Sequence, residues 1–412
     1  MSATRPSLWR NRDYNLLWGG QAASALGQQM SGVAYPLLIL AGTHSAIKVG
    51  AVATGQSVAT YVGGLLGGPW VDRANRRVVI AVCDAVRAVA VAAVAVIVLL
   101  RVAAFGVVLG TAVVGSFFAV PVTPATDAAL VRIVADEQLD QAVAQDQARV
   151  QGASFAGPGL GGLLFGVGAS IPFLVNVATY AASVVGALGI RTSLAIERSS
   201  AAREGFRHEL TAGWRWLIER KRLTILVTSL AFLNLSVSGV EVLVIVLARH
   251  DGASPFEVGL SLAISAAGGI AGAVFAPRLI ERVGKLGAVL LAVWGVTVLI
   301  PALAVAPGFV GLGATFGLMT LVLPPANVVL ISKLLRMLPD DLRGRVVSVV
   351  VLLNAGLGAL GPLLAGVLVE ALGSSAALPL TAPALLTALI ISTAPKLRAF
   401  IAEPDEPEAK FA

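Results

Sequence analysis

Residues 63–77 read Gly63-Gly64-Leu65-Leu66-Gly67-Gly68-Pro69-Trp70-Val71-Asp72-Arg73-Ala74-Asn75-Arg76-Arg77, and this stretch decides the fold. Its first half closes an apolar run; its second half is a short charged turn, after which apolar sequence resumes at Val78. Small residues four apart let helices approach closely inside a bilayer. Basic residues crowded between two apolar runs mark a loop held on one side of a membrane. The pattern returns farther along. Gly268-Gly269-Ile270-Ala271-Gly272-Ala273 lies 205 residues on, with Arg278 placed behind it as Arg73 is behind the first copy. Gly157-Pro158 and Gly361-Pro362 are 204 apart, and Pro124 and Pro325 are 201 apart. Offsets near half of 412 residues describe a chain made of two similar halves.

Composition agrees with a membrane. The chain is 57% apolar and 13% charged, with a mean hydropathy of +0.86. A soluble domain carries about a quarter charged residues, so a soluble enzyme is excluded. Twelve runs are long enough to span: 15–41, 47–71, 78–100, 105–127, 147–168, 171–193, 223–247, 256–278, 286–305, 308–332, 345–370 and 374–394. They are continuous rather than alternating, which excludes barrel strands. The first is too long for a cleaved leader and is interrupted by Gln21, Gln28 and Gln29. A single cysteine, Cys83, leaves no disulfide framework, and His44, His208 and His250 have no metal-ligand spacing. No metal or cofactor is expected. The pI near 10 does not imply nucleic acid, because the basic residues sit at the ends of apolar runs.

Their distribution sets an expected orientation. With both termini in the cytoplasm, the outer loops hold Lys48, Arg101 and Arg249 of the 30 Lys and Arg, Arg87 lies inside span three, and the other 26 fall on the inner side. The expected organisation is an N-terminal six-helix half over 1–193, a cytoplasmic linker over 194–222, a C-terminal half over 223–395 and a cytoplasmic tail over 396–412. The tail, acidic from Glu403 to Glu408, is expected to be disordered. Within the linker, Phe206, Leu210, Trp214, Leu217 and Ile218 form a helical stripe with arginines off it. Such a helix lies on the bilayer surface or packs on the protein's own cytoplasmic face.

Gly64-x-Leu66-Gly67-Gly68-x-x-x-Asp72-Arg73-x-Asn75-Arg76-Arg77 resembles the loop 2–3 signature of the major facilitator superfamily. Asn75 stands where that signature has glycine, and asparagine is the next-best residue for a left-handed backbone. Gly157-Pro158-Gly159-Leu160-Gly161-Gly162 is similar to the span-five signature of the family's antiporters, with Ala153 in place of an earlier glycine. The opening Leu8-Trp9-Arg10-Asn11-Arg12-Asp13-Tyr14 resembles the macrolide-efflux and enterobactin-exporter branch. The resemblance implies an all-α fold of two pseudo-symmetric six-helix halves in the bacterial inner membrane. Repeated halves imply a substrate site near the midplane, reached alternately from either side. A latch is implied too, joining Asp72 of span two to the start of span eleven beside Arg343 and Arg345, with Gly64, Gly68, Arg73, Arg76 and Arg77 in the same gate; the alternative is that the three arginines only fix topology. A seal is implied at Gly157, Pro158, Gly161 and Gly162. Span four, read as 105–127, lacks the arginine that drug–proton antiporters carry there.

Polar residues inside the spans nominate the site, since such groups face protein or a wet cavity. Gln28, Gln29 and Tyr35 in span one, Gln56 in span two, Asn234 and Glu241 in span seven, Asn327 in span ten and Asn354 in span eleven are the cavity and coupling candidates. Asp84 and Arg87 are three apart on one face and pair structurally, or serve the cytoplasmic gate. Such a weakly charged cavity suits a small amphiphilic molecule better than a sugar or a phosphate ester. Gly-x-Gly-x-x-Gly at 157–162 is no dinucleotide site, because no strand precedes it. No nucleotide phosphate loop occurs, so pumping draws on an ion gradient, protons above all. The expected function is export of drug-like molecules or a siderophore by a monomer. An importer or uniporter of a small metabolite, and a non-transporting receptor or scaffold, are the alternatives.

Overall fold

Backbone polar groups in hydrocarbon have no water to bond, so the apolar runs fold as helices that satisfy their own hydrogen bonds. The computed structural model describes residues 7–71, 74–102, 104–194, 206–338 and 342–402. Among these, the spans in order are Arg12–Thr43, Ala46–Val71, Arg76–Leu99, Phe105–Ile133, Leu139–Val167, Ile171–Gly189, Lys221–His250, 255–283, 285–302, Gly308–Met337, 343–372 and 377–393. Spans eight and nine run on as Pro255–Ala302, broken at Gly284, whose φ of 75° is a conformation glycine adopts freely. Among the described residues, seven segments are long and apolar enough to cross a membrane, and two of them, Pro255–Val305 and Gly344–Thr393, hold two spans each. Spans one, two and five are the others. One and five carry much of the polar chemistry described below.

The helices overrun the apolar runs where charge begins. Span four continues past 127 to Ile133, and span five starts at Leu139 rather than 147. Span four therefore does hold an arginine, Arg132, in its last turn. A second correction concerns Asn75. Its φ is −59°, not left-handed, and its side chain caps span three by accepting from the Arg77 amide at 3.0 Å. Asn11 caps span one likewise, and its Nδ2 donates 2.9 Å to the Ile133 carbonyl at the end of span four.

The chain resolves into two compact units. The first comprises Met1–His44, Ala51–Ser199 and Ala253–Ala263; the second comprises Ser45–Gly50, Ser200–Gly252 and Ile264–Ala412. The core of the first joins Tyr14 and Leu17 of span one, Ile80 and Cys83 of span three, and Ala125 and Leu130 of span four. Cys83 is wholly buried.

Packing repeats with the sequence. In the first unit, Gly63 lies under the Phe117 carbonyl, 2.8 Å from where a Cβ would stand, and Gly67 lies against Pro121 at 3.1 Å. In the second unit, Gly268 and Gly272 lie against the carbonyls of Gly317 and Leu321. Both glycines have moved 205 positions and both partners 200, so the same crossing of helices is built twice. The pairing of spans one and five recurs in seven and eleven. A Cβ at Gly161 would stand 2.5 Å from the Met30 carbonyl, and one at Gly361, 200 residues on, would overlap the Leu235 carbonyl.

The helix Phe206–Glu219 belongs to the second unit and packs on the start of span eleven. Gly213 abuts the Arg345 backbone, and Trp216 and Leu217 are buried, while Trp214 and Ile218 are exposed. The packed alternative is thus the one adopted, with a buried face rotated from the expected stripe. Phe206 and Leu210 lie outside the described side chains, as do 195–205 and the tail beyond 402.

Candidate functional site

The first unit contains a polar cavity of about 370 Å³. One wall is span one (Gln21, Ser24, Gln28, Gln29); the others come from Arg87 of span three, Thr126 and Asp127 of span four, and Asp146, Arg149 and Ser154 of span five. Helical spacing delivers these side chains. Gln21, Ser24 and Gln28 are three and four apart, so they fall on one face, and Asp146 and Arg149 repeat the three-residue spacing of Asp84 and Arg87.

Two ion pairs organise the walls. Arg87 Nη1 donates 2.8 Å to Asp84 Oδ1, with both side chains buried. Asp84 Oδ2 also accepts from Ser183 Oγ at 2.6 Å, and the Gln21 amide stands 3.5 Å away. The other face of Arg87 lies over the Tyr180 ring at 4.3 Å, and its Nη2 donates to Gln28 Oε1. A buried charge is tolerated only when paired and hydrogen-bonded in this way. Arg149 is held as firmly: Nη2 lies 2.7 Å from Asp146 Oδ1, and Nη1 donates 2.9 Å to the Gln21 carbonyl. Gln29 Nε2 donates 2.7 Å to Ser154 Oγ, tying span one to span five.

Of the residues nominated from sequence, Gln28, Gln29 and Arg87 meet in this cavity. Tyr35 does not. It is buried edge-on against Phe173, 5.2 Å between ring centroids. Gln56 is half-buried on span two, away from the cavity lining. In the second unit, Asn234 Nδ2 donates 3.1 Å to Asn354 Oδ1 across spans seven and eleven. Glu241, two helical turns beyond Asn234, is exposed, and no cation pairs with it among the described residues. Asn327 is exposed on span ten.

The span-five signature is a close crossing. Gly157 lies against Gln29, and a Cβ at Gly162 would overlap the Pro255 carbonyl; Gly259 faces the Pro158 carbonyl in return. A Cβ at Gly64 would meet only a Val120 methyl, at 3.9 Å. Arg77 Nη2 donates 3.2 Å to the Thr192 carbonyl, and Arg76 is half-buried. Asp72 and Arg73 lie outside the described residues, as do the surroundings of Gly68 and the side chain of Arg343, so the expected latch is not in view. Arg345 is half-buried beneath the 206–219 helix.

Sequence reasoning missed Thr126, Asp127, Asp146 and Arg149. The signal was present: two charges at helical spacing, Asp146 and Arg149, stand just ahead of an apolar run. Asp146 read as a loop residue because the apolar runs stop at 127 and start at 147, and the other three sit at the very ends of those runs, where they read as flanking residues.

Twelve spans built from two matching sets of crossings, with polar side chains turned into one unit's interior, define a membrane transporter. Residues 17–355 match the Major Facilitator Superfamily, and the chain belongs to that family. It is therefore a transporter rather than an enzyme. Over 401 residues, 93% of this chain and 95% of the relative, it is 27% identical to the multidrug efflux pump Tap of Mycolicibacterium fortuitum. Among solved structures, a nucleoside transporter NupG variant superposes with a TM-score of 0.77 at 13% identity, covering 92% of this chain and 98% of that one. A bacterial homologue of the iron transporter ferroportin gives 0.74 at 20% identity, covering 96% and 100%. At such identities these structures share the fold.

Proposed function

We propose that this transporter exports small amphiphilic molecules from the bacterial cytoplasm by alternating access, driven by inward proton flow. The observation that carries the export reading is similarity to an efflux pump along nearly the whole chain. The cavity supports it, since about 370 Å³ falls within the roughly 300–1,000 Å³ of small-molecule sites. Charge asymmetry supports cytoplasmic termini, with 26 of 30 basic residues on that side. Glu241 is the proposed coupling group: an exposed carboxylate within a spanning helix, with no paired cation among the described residues.

Glu241→Gln in proteoliposomes tests the coupling. Transport driven by a pH gradient should be lost, while substrate exchange at equal pH should persist. Loss of both would make Glu241 a substrate contact, and retention of both would remove it from the mechanism. Single cysteines at Ser199 and Ser254 should label from opposite faces of the membrane; labelling of both from outside intact cells would reverse the orientation.

A further inference from the structure

The polar cavity of the first unit is unbalanced in a way that specifies its ligand. Four charged side chains line it: Arg87, Arg149, Asp127 and Asp146. Arg87 is neutralised by Asp84 at 2.8 Å and Arg149 by Asp146 at 2.7 Å. Asp127 is exposed to solvent, and among the described residues no cation is in ion-pair contact with it, although the opposed charges of Asp146 and Arg149 are both within its reach. The lining thus keeps one uncompensated negative charge. Two further groups are unsatisfied. Arg87 Nε and Thr126 Oγ1 are shielded from solvent yet make no hydrogen bond, although both residues are more than nine-tenths buried and line the cavity. A buried polar atom without a partner is costly, and native structures seldom leave one so. Arg87 Nε–H is a donor only, so what completes it must be an acceptor.

From these two observations we infer that the cavity takes an amphiphile carrying both a protonated amine and an oxygen acceptor, with the amine on Asp127 and the oxygen on Arg87 Nε and Thr126 Oγ1. This rests on the export reading and narrows its substrate class. A cation alone leaves the two buried groups unmet, whereas an acceptor alone satisfies them but gains nothing from the Asp127 charge, which stays hydrated. Discrimination against molecules lacking one feature is strong where the site's own polar groups would be left bare. Differences in apolar bulk, which a greasy wall tolerates, contribute far less.

The test measures binding to the detergent-solubilised full-length protein and flux in proteoliposomes. The probes are doxorubicin, which has an amine and several oxygens, and ethidium, a cation without oxygen. Wild type should bind doxorubicin about tenfold or more tightly than ethidium, the scale of one charge-assisted hydrogen bond. Asp127→Asn should weaken doxorubicin binding by about tenfold or more, with Asp127→Glu restoring part of it and thereby excluding misfolding. Thr126→Val should weaken doxorubicin and leave ethidium unchanged. Equal binding of both probes by wild type, or unchanged doxorubicin binding in Asp127→Asn, overturns the inference. Binding as expected without flux of either probe would instead count against the export reading and leave the cavity assignment standing.

Discussion

The Glu370 carboxylate accepts from Ser45 Oγ at 2.7 Å and from the Ile47 amide at 3.0 Å, so the last turn of span eleven caps the first turn of span two within the second unit. Ser45 Oγ in turn accepts from the Lys48 amide at 3.3 Å. The first amides of a helix have no partner of their own, and the positive end of its dipole favours an anion. Glu370→Gln should lower stability by the ~0.5–1 kcal/mol of an exposed cap, seen as a small drop in thermal midpoint. Ser45→Ala should do the same, and the double variant should add little, because both changes break one constellation. Full additivity in thermal unfolding would separate the two contacts.

Within Gly157-Pro158-Gly159-Leu160-Gly161-Gly162 the glycines are not equivalent. A Cβ at Gly162 meets backbone of Pro255 and Phe256, which cannot move aside, whereas one at Gly159 has nothing within 4 Å. Gly159→Ala should therefore fold and express as wild type, while Gly162→Ala should cost the ~1–3 kcal/mol of overpacking. Comparison of detergent-extracted yield and thermal midpoint decides it; a reversed order would mean that the crossing is looser than its geometry.

The Asp84–Arg87 pair is buried, and removing one partner strands the other. Asp84→Asn or Arg87→Leu alone should destabilise by about 3–5 kcal/mol, the usual penalty for an uncompensated buried charge. The double variant should cost less than the sum of the two. A thermal-unfolding cycle that sums without coupling would show that the pair contributes nothing as a pair.

Asp13 precedes the apolar run of span one, and its Oδ2 accepts from the Thr192 hydroxyl at 2.7 Å and the amides of Thr192 and Arg191 at 2.8 and 3.1 Å. Burial alone would push its pKa up, but these bonds and the Arg12 charge outweigh it and hold the carboxyl below its ordinary value. A depressed folded pKa means a contribution that is whole above the ordinary carboxylate pKa, about 4, and is lost as pH falls through the folded value. Asp13→Asn should accordingly be less stable than wild type at neutral pH, with the gap closing under acid. A gap independent of pH would refute the assignment.

Much of this architecture is legible in the sequence because bilayer length and glycine spacing are strict. The two halves show as constant offsets, and Gln28 and Gln29 stand out as polar residues in an apolar run. The cavity's charged members were harder to read, for a physical reason. Charge lowers the hydropathy that marks a span, so Asp127 and Arg149 came out as the edges of apolar runs and Asp146 fell outside them, although all three lie well within helices. Asp84 and Arg87 escaped this because apolar residues flank them on both sides. Tyr35 misled in the opposite sense: its hydroxyl advertises a polar site, but its ring is packed on Phe173. Which face of the 206–219 helix is buried depends on Gly213, where the Arg345 backbone comes close, and a stripe of large apolar residues does not reveal that.

The burial of Cys83 has a chemical consequence. The chain's one native thiol is shut away from aqueous reagents, so maleimide or methanethiosulfonate added to the intact protein should find nothing to modify. Each cysteine introduced at a surface position would then report from that position alone, in a chain whose natural sequence is otherwise untouched.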